Sequence, residues 1–215
     1  MSTNDFLSPY GAPKYESGSA KSASVATLAA LKALADGGPA RVHGNEVMVD
    51  ADQSMWYFHS TSSLSGDDLL VVAPTSGSGR WLRRPGTVDI KIAISKDNTD
   101  AQVLMTMPTG ARMIVRRCYW EITADWTGGS SSAIGISGPS PHNTKGDLLG
   151  GGSGDVAATL VASAGVALGT IGEDTAAGVM LKAADTVKFD RITSAFTAGT
   201  GFVHVVGDLV LNPGA

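Results

Sequence analysis

The spacing of apolar residues changes along this chain and divides it. Within Ser24 to Asp36, Val25, Leu28, Leu31 and Leu34 recur every third residue and Ala35 widens the stripe. That spacing predicts a helix, with Ser22 or Ser24 as N-cap and Gly37-Gly38-Pro39 as its stop. Short apolar runs follow at Arg41–Gly44, Glu46–Val49, Met55–His59, Leu69–Ala73 and Arg80–Arg83, parted by Gly44-Asn45, Asp50 to Ser54 and the polar stretch Ser60 to Asp68. They read as strands. From Thr87 the period is two: Val88, Ile90, Ile92 and Ile94 alternate with Asp89, Lys91 and Ala93, as in a half-buried strand. Val103–Met107, the long β-forming run Ala111–Trp126, Ala133–Ser137, Gly178–Leu181, Asp185–Ile192 and Gly201–Leu211 complete the set. Gly138 to Gly154 is broken by Pro139, Pro141 and glycines, and Val156 to Ile171 is open between a weak helix and a strand pair, with the extended form favoured.

The two rhythms meet at Leu70 to Gly86, where an apolar strand turns through Pro74 and a Gly/Ser run into Arg80-Trp81-Leu82-Arg83-Arg84 and stops at Pro85-Gly86. Together the patterns predict a mainly β protein. An antiparallel β-sandwich, jelly-roll-like, is expected over 87–215, preceded by a small α+β module over 22–86 and an extended arm over 1–21. Pro9, Gly11, Pro13 and Gly18 lie among polar residues in the arm, which should be disordered when alone. Phe6, Leu7, Tyr10 and Tyr15 are its apolar or aromatic groups, and they are expected to anchor it on another subunit.

Composition narrows the partners. Charged residues are 17% of the chain, below the roughly 25% of an ordinary soluble domain, and Gly, Ala, Ser and Thr take their place. Surfaces of that kind suit contact with copies of themselves. A net charge of -4 and a pI near 5.5 argue against nucleic acid, whose binders usually present a basic face. Cys118 is the single cysteine, which excludes an intrachain disulfide and a thiolate zinc knuckle; within the run Met113 to Ile122 it is expected to be a buried hydrophobe. Met1 to Lys21 lacks a basic stretch followed by an apolar one, and no window has 18 apolar residues, so synthesis in the cytoplasm and no membrane partner are expected.

The module carries a resemblance. A short Ala/Leu-rich helix at Ser24 to Asp36, Trp56 ahead of Ser60 to Ser62, Asp67-Asp68, Val72 to Thr75 and then Gly77 to Leu82 resembles a module of tailed-phage virion proteins, especially near the N-termini of fibres and spikes. The order of elements downstream is similar to that of β-sandwich domains in phage capsid-associated proteins. The resemblance implies a virion structural protein.

No candidate chemistry competes strongly. His43, His59, His142 and His204 fall on different elements without a metal-ligand spacing, and His204, alternating with Phe202 and Val206, is expected in or on the sheet. Asp67-Asp68 and Glu173-Asp174 suggest paired glycosidase carboxylates, but neighbours on a strand face opposite ways and in loops are usually solvated. Gly150 to Gly154 lacks the Lys-Ser/Thr of a phosphate loop, and Lys96 to Asp100 reads as a turn rather than a calcium loop. Trp56, Trp81, Trp120 and Trp126 suggest a sugar-stacking platform, with Trp126 beside Gly128-Gly129 the one to test.

The resulting expectation is a non-enzymatic phage virion structural protein without cofactor or metal, most simply a decoration or cement protein on the outer head surface. Its partners would be the major capsid protein and itself, as a homotrimer. A tail-fibre or tail-spike adaptor and a carbohydrate-binding receptor protein are the alternatives.

Overall fold

The computed structural model describes residues 23–128, 132–162, 166–167, 169, 178–192 and 194–212. Extended backbone enters where helical spacing was expected: Ala23–Val25 (β1) runs parallel to Glu46–Val49 (β2), with Ala23 opposite Val47 and Val25 opposite Val49. The carbonyls of Val25 and Ala26 accept from Asp50 N and Ala51 N at 2.9 and 3.2 Å, so these residues are committed to the sheet. The helix therefore shrinks to α1, Leu28–Lys32. Its N-cap is Thr27, whose Oγ1 accepts from Ala30 N at 3.2 Å, and Ser24 lies in β1.

Arg41 to Gly44 is a turn rather than a strand. The Arg41 guanidinium is buried and donates to the carbonyls of Leu34, Ser76 and Ser78, which pins the chain there, and Asn45 N closes the turn onto Val42 O at 3.0 Å. Ser54–His59 (β3), Val71–Val72 (β4) and Arg80–Arg83 (β5) complete a sheet ordered β1-β2-β3-β5-β4. The expected strand Leu69–Ala73 is cut to two residues. Its approach is an Asp67 turn, in which Oδ1 accepts from Leu69, Leu70 and Val71 N at 2.8–3.0 Å.

Arg84-Pro85 leads directly into Gly86–Ser95 (β6). Gln102–Thr106 (β7), Ala111–Gly128 (β8), Ala133–Ser137 (β9), Asp155–Val156 (β10), Val166–Ala167 (β11), Val179–Leu181 (β12), Thr186–Arg191 (β13) and Phe196–Leu211 (β14) follow. They form two sheets, one ordered β11-β8-β14-β6 with β12 also on β8, the other β10-β9-β13-β7. The last strands insert between earlier ones: β14 between β6 and β8, β13 between β7 and β9. All pairings in both sheets are antiparallel. This is the double Greek-key winding of a jelly roll. Within Val156 to Ile171, the described strand residues are extended, in β10 and β11.

Burial follows from the winding. Ile90, Ile92, Ile94, Trp120, Val203 and Val205 of one sheet meet Met105, Ile134, Ile136, Val187 and Phe189 of the other in one cluster. A second, smaller cluster holds Leu31, Val47, Val49, Trp56, Phe58, Val72 and Trp81 in the N-terminal unit. Neighbours on β4 and β5 point oppositely, so Val72 and Trp81 face the small cluster while Val71 and Leu82 join the large one with Leu64 and Leu70. The two units are packed together through that shared layer. Arg83 reinforces it, donating to Leu69 O at 3.3 Å and Asp89 O at 2.6 Å.

Candidate interaction face

The outward side of the large sheet collects the polar partners of its buried rows. On β6 these are Asp89 and Lys91, on β8 Tyr119 and Glu121, on β14 Phe202, His204 and Val206. Pairing sets His204 between Lys91 and Tyr119, with Asp89 opposite Val206 and Glu121 opposite Phe202. On β8 the inward positions shift from Met113 and Val115 to Cys118, Trp120 and Ile122. A register shift against Val206/Gly207 absorbs the change, leaving Arg116 and Arg117 both exposed.

His204 is the hub. Its Nδ1 lies 2.8 Å from Asp89 Oδ1 and its Nε2 2.9 Å from Glu121 Oε2, while the ring stacks on Tyr119 with centroids 4.4 Å apart. Both carboxylates accept, so both ring nitrogens must donate, and the arrangement selects the imidazolium. Burial of the ring opposes that charge, but the two carboxylates outweigh it and raise the pKa above the ordinary 6.5. Burial likewise pushes Asp89 up, yet hydrogen bonds from His204 and Tyr119 prevail and hold it below its ordinary 3.8. Glu121 is lowered first by Lys91, which donates to Oε1 at 2.9 Å, and then by His204. Tyr119 donates to Asp89 Oδ2 at 2.7 Å, and burial together with that carboxylate pushes its hydroxyl up to about 12. Lys91 Nζ also sits 4.1 Å from the Phe202 ring centroid.

With both nitrogens donating, His204 has no lone pair with which to take a proton from a substrate, and Tyr119 stays a phenol at neutral pH. The constellation ties three strands together across their outer face and carries one histidine whose pKa is raised above its ordinary 6.5. Beside it, Asp52, Ser54, Met55, Arg83, Arg84 and Asp89 line a polar cleft of about 630 Å³ at the junction of the two units.

No family model, curated protein or solved structure matches this chain.

The structure disperses the residues that sequence singled out. Phe6, Leu7, Tyr10, Tyr15, Glu173 and Asp174 lie outside the described residues. Asp67 is spent on its turn and Asp68 pairs with Lys32 at 2.6 Å, so they form no catalytic pair. Asp100 accepts from Lys145 Nζ and Arg191 N at 2.5 and 2.9 Å, which makes Lys96 to Asp100 a braced turn. Gly150 to Gly154 packs against β9 as a turn, with Gly154 N on Gly151 O at 3.1 Å. Trp126 is 2% exposed, wedged between Phe189 and Phe196, and the other three tryptophans are at most 1% exposed. The sugar-stacking reading of these rings is overturned, because none offers a free face. Cys118 is buried, as the strand pattern implied.

His43 and His59, distant in sequence, meet with ring centroids 4.5 Å apart. His43 Nδ1 accepts from Ser60 N at 3.3 Å, which occupies its lone pair. Among the described residues no group of three or more His, Cys, Asp or Glu side chains is arranged to hold a metal ion. The Asp89, Glu121 and His204 constellation was missed. The legible signal was the polar half of each alternation, namely Asp89/Lys91, Tyr119/Glu121 and His204, read together rather than strand by strand.

Proposed function

We propose that this protein is a non-enzymatic structural component of a tailed-phage virion, a decoration protein that binds the major capsid protein on the outer head surface and stabilises the shell as a homotrimer. The observation that carries the reading is the place of the resembling residues in the fold. They build the N-terminal unit itself. Gly79, at φ +85°, lies so close to β3 that a Cβ there would sit 2.6 Å from Phe58 Cζ and 2.9 Å from His59 O. Arg80 Nε donates to Leu64 O at 2.6 Å, and Trp81 fills the small core. The Gly-x-Gly-Arg-Trp motif is therefore the clasp of a module and not a chemical site.

The jelly roll is compatible with this reading, since capsid and lectin domains use it, though a fold by itself does not specify a function. A rigid sandwich fused to a module through a shared core suits a part set over a junction between shell subunits. Each copy needs only modest affinity when symmetry repeats the contact.

Cosedimentation of the labelled protein with isolated heads, isolated tails and host cells tests the reading. Hundreds of copies on each head are expected. A few copies on tails, or saturable binding to cells, would overturn it in favour of an adaptor or a receptor-binding protein.

A further inference from the structure

At the end of the large sheet remote from His204, the outer face changes character. Val210 of β14 stands opposite Arg112 of β8, and Met180 of β12 stands opposite Ile114, which faces Asp208 on its other side. Leu181 pairs with Met113 and ends β12, and Lys182 follows it directly, on the side of Arg112. The two cations line a concavity of about 520 Å³ together with Gly110, Ala111, Ala183, Val210 and Asn212. Among the described residues neither Arg112 nor Lys182 enters an ion pair, whereas Arg116 in the next turn of the face is held by Asp208 at 2.9 Å. Val210 is 61% exposed and Met180 49%, among the most exposed large apolar side chains described.

Neighbouring like charges repel, and although Asp185 Oδ2 accepts from Lys182 N at 2.7 Å, no carboxylate among the described residues pairs with either side-chain cation. An anion between them would offset that repulsion. Next to it, Val210, Ile114 and Met180 offer apolar area, and Arg and Met are the residues enriched where proteins meet. We infer that this concavity is a docking site for an acidic, partly apolar segment of a partner protein, with a carboxylate between Arg112 and Lys182 and an apolar side chain over Val210 and Met180. Val210 and Met180 stand exposed beside the cations, and a protein segment brings apolar side chains to cover them where a phosphate backbone does not, so an acidic protein segment is the occupant. The inference deepens the proposed function, since it takes the capsid protein as that partner, and rests on it to that extent.

Two measurements separate the site from the function. In the first, a fluorescent peptide of alternating Glu and Leu is titrated with the full-length protein and followed by anisotropy, beside a Lys/Leu peptide and a single-stranded oligonucleotide. Saturable binding of the Glu/Leu peptide alone is expected, weakened at least about tenfold in the Arg112→Glu, Lys182→Glu double variant. Arg112→Gln with Lys182→Gln should weaken it less, and a thermal melt of each variant verifies folding. No binding, equal binding of the Lys/Leu peptide, preference for the oligonucleotide, or an unchanged affinity in folded charge-reversed protein would each overturn the site. In the second, the same variants are cosedimented with heads. Wild-type retention with loss in the charge-reversed variant supports the site; equal retention of both overturns it and leaves the decoration role standing. If wild type does not bind heads, the decoration role falls, and the peptide titration then decides the site alone.

Discussion

The two packed units reach stability by different means. The jelly roll has two sheets with an extensive core between them, and its central strands β8, β14, β9 and β13 are paired on both sides by the winding. The N-terminal unit has a five-residue helix, short strands and one small cluster around Trp56, Phe58 and Trp81. A unit of that size is near the lower limit for folding alone. It draws on its neighbour by facing Leu64, Leu70, Val71 and Leu82 into the larger core. The lesson is that a small module becomes rigid by sharing a layer, which is what a protein needs if it is to transmit a load from one contact to another.

The comparison breaks most visibly at the small core. Trp81→Ala removes a fully buried ring that also contacts Phe58, with centroids 5.1 Å apart, and should cost about 3–5 kcal/mol by chemical denaturation. Because the cores are joined, the loss should appear for the whole chain and not only in the N-terminal unit. In the jelly roll, Gly199 has φ +138° and its Cβ would overlap the Trp126 ring. Gly199→Ala should therefore destabilise by about 1–3 kcal/mol, and a neutral result in a urea melt would contradict the packing of Trp126.

A smaller effect sharpens the contrast between inner and outer faces of the large sheet. His204 has a folded pKa above its ordinary 6.5. Its stabilising contribution is thus complete below that ordinary value and is lost as pH rises through the folded one. Asp89 and Glu121 are lowered, so theirs is present above their ordinary values of 3.8 and 4.5 and is lost as pH falls through the folded ones. Stability should peak in weakly acid solution. In His204→Gln the decline that begins above about pH 6.5 should vanish, while the later one from the raised Cys118 and Tyr119 remains, and a slope identical to wild type just above neutrality would remove the histidine hub. Smallest of all, Lys32→Ala breaks the pair with Asp68, whose side chains are 32% and 53% exposed, and should change stability by about 0–1 kcal/mol.

How much of this was legible depended on which force dominated locally. The jelly roll was readable because Val88, Ile90, Ile92 and Ile94, or Met113, Val115 and Trp120, each record one buried face. The phase change between Val115 and Cys118 even marks the register shift. The helix was misjudged because Ala- and Leu-rich spacing records propensity, while Ala23–Val25 are claimed by hydrogen bonds to a strand more than twenty positions away. The fate of Arg41 was hidden for the same reason, since its carbonyl partners are Leu34, just after the helix, and Ser76 and Ser78 in a loop 35 or more positions away. Cross-strand constellations are harder still: Asp89, Glu121 and His204 come from three strands, and only the pairing register brings them together.

The central claim is that the two units form one body through a shared core, and calorimetry tests it most directly. A single cooperative transition is expected, with calorimetric and van't Hoff enthalpies equal, and Leu82→Ala should lower its midpoint without splitting it. Two separate transitions in the wild-type protein, or a Leu82→Ala variant in which only the N-terminal unit melts early, would contradict the claim.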